Sequence, residues 1–105
     1  MAPQIETRDM VLLQTLAAQG SFRGAAEALE QPVSLISRAL KALERRLPAV
    51  LLVRTTRRIE LTQAGRFLLE RSHHVLQSLN DIEANLAQAA DSPTGLLRMI
   101  PQHRS

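Results

Sequence analysis

The spacing of apolar residues predicts helices over most of the chain. Between residues 32 and 47, Ile36, Leu40, Leu43 and Leu47 recur at steps of four, three and four, so they share one helical face. The opposite face carries hydroxyl and basic side chains, namely Ser34, Ser37, Arg38, Lys41 and Arg45. A helix with this front can be inserted into a DNA groove, although an ordinary amphipathic surface helix has the same pattern.

Two shorter helices are predicted before this segment. The first covers residues 8–19, is capped by Thr7 and ends at Gly20. Its inward positions are Met10, Leu13, Leu16 and Ala17. The second covers residues 22–29 after the cap Ser21 and begins with Phe22, which we expect in the core.

The turn between the second and third helices is very short. Only Glu30 and Gln31 precede Pro32, a residue that suits the first turn of a helix. An Ala-rich helix, a short turn and a basic helix together predict a helix-turn-helix.

A β-hairpin is predicted over residues 50–61. Pro48 ends the third helix, and Ile59 and Leu61 alternate with Glu60 in the second strand. The turn is basic and hydroxylated and consists of Arg54, Thr55, Thr56, Arg57 and Arg58. Beside a helix-turn-helix, such a hairpin is a wing that can reach phosphates or a minor groove.

The longest predicted helix runs from Gln63, after the cap Thr62, to about Ala90. Its apolar positions follow the four-three repeat of a coiled coil, with one polar interruption. The seam consists of Leu68, Ser72, Val75, Leu79, Ile82, Leu86 and Ala89. We expect two copies to pair along it, and a purely intramolecular helix is the alternative. Phe67 and Leu69 lie off the seam and are expected to pack on the first helix.

The predicted fold is therefore mainly α, a winged helix-turn-helix of three helices and a two-stranded wing followed by a long dimerisation helix. Residues 1–61 form the DNA-binding domain and residues 62–90 the linker helix. Residues 91–105 are expected to be a hinge, one unpaired strand and a partly disordered tail.

Positive charge is concentrated in one stretch of the chain. The formal net charge is +3, but residues 38–58 hold seven bases and one acid, Glu44. The bases are Arg38, Lys41, Arg45, Arg46, Arg54, Arg57 and Arg58. Their density suggests a polyanionic partner, although a solvated basic surface has the same composition. Glu44 is expected to pair with a base or to cap a neighbouring amide.

Composition excludes several other classes. The 105 residues contain no cysteine, which removes disulfides and thiolate metal sites. No apolar run approaches the ~20 residues of a membrane span. His73 and His74 are adjacent, so they point about 100° apart on a helix and cannot hold one metal ion together. We expect no enzyme, no metal, no cofactor, no small-molecule ligand in this chain and a cytoplasmic location.

Four ordered motifs resemble the N-terminal DNA-binding region of LysR-type transcriptional regulators. They lie in the runs GSFRGAAEAL, SLISRALKALERRL and RTTRRIELTQAG, and the resemblance covers roughly residues 7–90. GLLRMI at 95–100 resembles the opening strand of the family's effector-binding domain. The resemblance implies a nucleoid-associated bacterial regulator that dimerises through its linker helix and whose sensing domain is missing here.

The resemblance also implies roles for particular residues. Ser37 and Arg38 match the pair that faces the major groove, and Arg54 and Arg57 match wing arginines near the backbone or minor groove. Together with the hydroxyl and basic face of the third helix, the resemblance implies four residues at or beside bases, namely Ser34, Ser37, Arg38 and Lys41. The residues expected at the backbone are Arg54, Thr55, Thr56, Arg57 and Arg58 of the wing, with Ser21 and Arg23.

The chain departs from the family pattern at two turns. Pro32 and Val33 replace a Ser-Gln pair, which removes a serine cap and leaves Val33 only an apolar contact, such as with a thymine methyl. Residues 48–52 replace a Gly-x-Pro-Leu-Phe stretch, which affects the turn before the wing.

Two functions of different classes follow. The first is sequence-specific binding of double-stranded DNA by a homodimer at a two-fold-related operator. The second is an interaction protein that pairs through the long helix with a full-length relative and modulates it. The chain can also be a fragment of a longer regulator. The seam leaves higher oligomers and the direction of helix pairing open.

Overall fold

The computed structural model describes residues 4–55 and 58–90. Its helices are α1 (Thr7–Gln19), α2 (Phe22–Leu29), α3 (Val33–Arg46) and α4 (Gln63–Ala90), and its strands are β1 (Leu52–Arg54) and β2 (Ile59–Leu61). The predicted mainly α winged helix-turn-helix with a long final helix is confirmed. The predictions for Thr56, Arg57 and residues 91–105 lie outside the described residues.

The chain divides into two compact units at residues 73 and 74. The first unit holds α1, α2, α3, the hairpin and the N-terminal part of α4. The described part of the second unit is the remainder of α4, residues 74–90.

The core of the first unit lies between the three short helices and the hairpin. Its fully buried leucines are Leu13, Leu16, Leu43 and Leu51. From the predicted apolar face of α3, Ile36, Leu40 and Leu43 are buried, and Leu47 packs against the same cluster. Burying one such side chain stabilises the fold by roughly 1.5–3 kcal/mol, which holds α3 by its apolar back.

The start of α1 differs from the prediction. The N-cap is Glu6 rather than Thr7, and Thr7 is the first helical residue. The backbone amide of Glu6 donates to Asp9 Oδ2 at 2.8 Å. Asp9 also forms an ion pair with Arg46, whose Nη1 lies 3.2 Å from Oδ2. Asp9 is only 5% exposed, so it ties α1 to the last turn of α3.

The turns around α2 are set by local hydrogen bonds. Gly20 has φ of 73°, as predicted for a left-handed helix end, and Ser21 Oγ accepts from the Gly24 amide at 2.9 Å. Glu30 ends α2 with φ of 56°, a conformation that the sequence did not signal. Pro32 is the N-cap of α3 rather than a residue of its first turn.

The hairpin is antiparallel and leads directly into α4. Leu52 pairs with Leu61, and Arg54 pairs with Ile59. Thr62 caps α4 as predicted, since its Oγ1 accepts from the Gly65 amide at 3.0 Å. A Cβ atom at Gly65 would collide with the carbonyl oxygen of Leu51, so only glycine allows this close approach.

Candidate nucleic-acid interface

The outer face of α3 is open to solvent. Val33, Ser34, Arg38 and Lys41 are exposed, and Ser37 is half-buried. Ser34, Arg38 and Lys41 lie on the side of α3 opposite its buried leucines and isoleucine, because the helical period separates the two sets. Val33 and Ser37 lie nearer to the buried face. The predicted hydroxyl and basic front of α3 is therefore a surface, as groove insertion requires.

The Glu44 carboxylate is hydrogen-bonded to the backbone within the fold. Its oxygen Oε2 accepts hydrogen bonds from the amides of Leu51, at 2.7 Å, and Leu52, at 3.3 Å. The expectation that Glu44 caps a neighbouring amide is confirmed. These bonds fix the first strand of the wing against α3, because one acceptor satisfies two backbone donors at its start.

Arg46 belongs to the scaffold. Its guanidinium binds Asp9 and the Gln4 carbonyl, the latter at 2.7 Å from Nη1. Burial would raise the pKa of Asp9, but hydrogen bonds from Arg46 and the Glu6 amide and the charge of Arg46 lower it below its ordinary value. Arg46 is therefore paired within the fold and does not count among the bases available to bind a polyanion.

The wing turn is closed by hydrogen bonds between its two ends. The Thr55 amide donates to the Arg58 carbonyl at 2.7 Å, and the Arg58 amide donates to Thr55 Oγ1 at 3.0 Å. Arg54 and Arg58 are both exposed. The short turn thus keeps two cationic side chains at the end of the hairpin.

A cleft lies between α3 and the wing. It has a volume of about 430 Å³ and is lined by Phe22, Ser37, Leu40, Lys41, Glu44, Leu52 and Arg54. The Arg54 guanidinium carbon lies 4.1 Å from the centroid of the Phe22 ring. The structure thus brings together Ser37 and Lys41 of α3 with Arg54 of β1, three of the residues expected to contact DNA.

Ser21 and Arg23 flank Phe22 at the start of α2. Ser21 Oγ accepts from the Gly24 amide, and its O–H can still donate to a phosphate oxygen. Arg23 is exposed. Two sites of possible backbone contact, α2 and the wing, therefore accompany α3.

The seam positions of α4 fall into two groups. Val75, Ile82 and Leu86 are exposed, with Ile82 at 51%, whereas Leu68 and Leu79 are half-buried and Ala89 is buried. Ser72 is fully buried within the single chain, and its hydroxyl donates to the Leu68 carbonyl at 2.7 Å. The assignments of Ser72 and Ala89 to the intermolecular seam are therefore corrected, because a side chain already covered by its own chain offers no surface to a partner.

Phe67 also departs from expectation. It was expected to pack on α1, but 61% of the residue is exposed, and Arg71 lies 5.2 Å from its ring centroid. Leu69 does pack against the core, as predicted. The helical period puts the two side chains on different faces, so only one can face the core.

Two features of the interface were missed by sequence reasoning. Leu35 is exposed on α3 beside the predicted contact residues, and its apolar character had suggested no surface role. The contact of Phe22 with Arg54 joins residues separated by a helix and a turn, and no local sequence pattern signals it.

Other kinds of site find no support in the described part of the chain. Residues 4–55 and 58–90 contain no group of three or more His, Cys, Asp or Glu side chains that could hold a metal ion. The ring Nδ1 of His73 lies 2.9 Å from Gln14 Nε2, which gives that histidine a structural partner. None of the described helices is long and apolar enough to cross a membrane.

Comparison with known proteins points to one family. The model of "Bacterial regulatory helix-turn-helix protein, lysR family" matches residues 7–66. An HTH-type transcriptional regulator of Xanthomonas campestris pv. campestris is 39% identical over 93 residues, which is 89% of this chain and 27% of the relative. That relative is a transcriptional regulator, which is the class of protein that the sequence predicted.

Solved structures agree with that match. The DNA-binding domain of CbnR in its DNA complex has a TM-score of 0.72 and 35% identity over 82% of this chain and 98% of that one. Full-length LysG from Corynebacterium glutamicum with bound effector Arg has a TM-score of 0.74 and 28% identity over 80% of this chain and 29% of LysG. The chain spans about a quarter to a third of the curated relatives that it matches.

Proposed function

Because the chain belongs to the LysR family of bacterial regulatory helix-turn-helix proteins, we propose that it binds double-stranded DNA sequence-specifically as a homodimer. The region is a LysR-type helix-turn-helix of a DNA-binding transcriptional regulator.

In this proposal α3 enters the major groove with its exposed front. Arg38 can form bidentate hydrogen bonds with guanine, and Ser34 can donate to or accept from several bases, with Ser37 and Lys41 beside them. Val33 can contact only an apolar group such as a thymine methyl. The observation that carries the proposal is this open Ser, Arg and Lys face, held from behind by three buried residues, Ile36, Leu40 and Leu43.

The wing and α2 supply contacts to the backbone. Arg54 and Arg58 are exposed at the end of the hairpin, and Arg23 is exposed on α2. Cations at these places bind phosphates irrespective of sequence and fix the register of α3 on the duplex. The proposal extends to Thr55, Thr56 and Arg57 of the same turn.

Dimerisation is proposed through the exposed seam residues of α4. Val75, Ile82 and Leu86 follow the four-three repeat and are open to solvent in the single chain. The DNA-binding domain of CbnR, which is 35% identical to this chain, has been solved in complex with DNA. That complex supports DNA as the partner proposed here.

Two substitutions test the roles of α3 and the wing. Arg38→Ala should cost ~1–3 kcal/mol on the preferred DNA site and much less on random DNA, because it removes a base contact. Arg58→Ala should weaken both complexes alike and reduce the salt slope by about 0.9 per subunit, because it removes a phosphate contact. Fluorescence anisotropy on both DNAs over a salt series measures these effects.

Equal losses for Arg38→Ala on the preferred site and on random DNA would contradict base reading by α3. Light scattering on the same samples measures the oligomeric state and so distinguishes a DNA-binding homodimer from the second hypothesis. A stable monomer that binds no DNA at ~0.15 M salt would favour an interaction protein that pairs with a full-length relative.

A further inference from the structure

The contact between Phe22 and Arg54 joins two parts of the candidate interface. Phe22 is the first residue of α2, and Arg54 is the last residue of β1. The guanidinium carbon lies 4.1 Å from the ring centroid, within the ~6 Å range of cation–π attraction. Phe22 also packs against the core, whereas Arg54 is exposed. A fixed ring therefore holds a side chain that would otherwise be free to move.

The geometry of a stacked guanidinium leaves its donors available. Arginine stacks on an aromatic ring through its flat face, and its N–H groups remain in the plane of the guanidinium, where they can bind phosphate oxygens. An unsupported arginine loses rotamer freedom when it binds. Contact with Phe22 removes part of that entropic cost before DNA arrives.

The cleft beside Arg54 brings further donors to the same place. Ser37 and Lys41 of α3 line it together with Arg54. A hydroxyl, an ammonium and a guanidinium at one cleft match the oxygens of a phosphate diester. The Glu44 carboxylate, which also lines the cleft, accepts hydrogen bonds from the Leu51 and Leu52 amides.

We propose that Phe22 is a positioning residue for DNA binding and that Ser37, Lys41 and Arg54 form a subsite for one DNA phosphate. Phe22 acts through Arg54 and does not itself bind DNA. The inference rests on the proposed DNA-binding function and adds to it a residue and a subsite. The contact between Phe22 and Arg54 also joins the start of α2 to the wing, so the two can present one surface to DNA.

A double-mutant cycle with the full chain tests this role. Phe22→Leu and Arg54→Gln are compared alone and together by anisotropy on a random-sequence duplex, because a phosphate contact does not depend on sequence. Phe22→Leu should weaken binding about 2- to 5-fold in the natural background and cause no further loss beside Arg54→Gln. Phe22→Tyr, which keeps the ring, should restore the natural affinity.

A matched control is available on α4. Phe67 also stacks with an arginine, Arg71, at 5.2 Å, but lies outside the candidate interface. Phe67→Leu makes the same chemical change and should leave the DNA affinity unchanged. A second measurement needs no substitution: proton NMR of the natural chain should show upfield ring-current shifts for the δ-protons of Arg54.

Three results would overturn the inference. They are an equal loss for Phe22→Leu in both backgrounds, tighter binding by Phe22→Leu, and Arg54 δ-protons at unshifted positions. The NMR result is decisive even if the Phe22→Leu chain does not fold, because it is measured on the natural chain. DNA binding by the natural chain that is insensitive to Arg54→Gln would reject both the subsite and the positioning role of Phe22, whereas no binding of DNA by the natural chain would reject the proposed function.

Discussion

Single side chains decide which charges near α3 remain available to a partner. Arg46 forms an ion pair with Asp9, and the Glu44 carboxylate accepts hydrogen bonds from two backbone amides. One base and one acid near α3 therefore have their partners within the fold. Arg38 and Lys41 stay on the surface. The basic stretch read from the sequence is therefore smaller than its count of residues indicates, but it is concentrated at the front of α3 and the wing.

The Asp9 carboxylate should make stability depend on pH in the acid range. Its pKa is lowered in the folded state, so the unfolded chain binds the proton more readily and stability falls as the pH falls through the folded pKa. Asp9→Asn keeps a capping side chain but removes the charge, and should cost about 1–2 kcal/mol at pH 7.

Urea unfolding of the natural and Asp9→Asn chains between pH 7 and pH 2 measures this effect. The difference in unfolding free energy should be fully present above the ordinary carboxyl pKa of 3.8 and should shrink below it. A difference that is independent of pH would contradict the ionic role of Asp9. Glu70→Gln on the exposed face of α4 is the control for loss of a carboxylate.

At the scale of elements, the wing and α4 are held together through a few backbone contacts. Thr62 donates from its backbone amide to the Leu51 carbonyl at 2.9 Å and accepts from the Gly65 amide at 3.0 Å. Gly65 allows the first turn of α4 to pass against Leu51. The position of the hairpin therefore depends on the first turn of the long helix.

Replacing Gly65 tests this packing. Gly65→Ala should destabilise the chain by about 1–3 kcal/mol despite the better helix propensity of alanine, because the added Cβ would strike the Leu51 carbonyl oxygen. Thermal unfolding measures the change. Ser78→Ala, at an exposed position of the same helix, is the control and should be neutral or slightly stabilising. A Gly65→Ala chain as stable as the natural one would contradict the close approach.

The exposed seam of α4 makes a separate prediction. Ile82→Glu should weaken self-association at least tenfold, because it places two charges in an apolar seam. Ala84→Glu, at an exposed position off the seam, should leave it unchanged. Sedimentation equilibrium measures both dissociation constants. Dimers of undiminished affinity with Ile82→Glu would show that the seam lies elsewhere.

Local patterns in the sequence predict the elements but not all of their contacts. The bounds of α2 and α4 and the caps Ser21 and Thr62 follow from apolar periodicity and side-chain chemistry, and the structure confirms them. The burial of Asp9 depends on Arg46, a residue 37 positions away. Such pairings arise from tertiary packing, which the residues near Asp9 do not encode.

The candidate site shows the same division. The open face of α3 follows from its period, because polar positions opposite an apolar stripe face solvent. The cleft between α3 and the wing and the stacking of Arg54 on Phe22 depend on how the hairpin packs. Ser72 was misassigned because the four-three pattern alone does not distinguish positions covered by the same chain from positions left for a partner.

At the scale of the whole molecule, the proposed function needs three parts that are each insufficient alone. In that proposal, α3 would supply sequence discrimination, the wing and α2 would supply backbone contacts, and α4 would supply the contact with a second copy. A dimer of one such motif doubles the number of base contacts and requires a DNA site with two-fold symmetry. The bound DNA should therefore have both a preferred sequence and two-fold symmetry.

In vitro selection of duplex DNA by the purified chain tests that claim most directly. A randomised duplex pool is bound at ~0.15 M salt, recovered and sequenced over several rounds. A homodimer that reads bases should enrich two inverted half-sites whose centres lie about one helical turn or a multiple of it apart. Recovery of DNA without any enriched sequence, or of a single half-site without its inverted copy, would contradict sequence-specific binding by a homodimer.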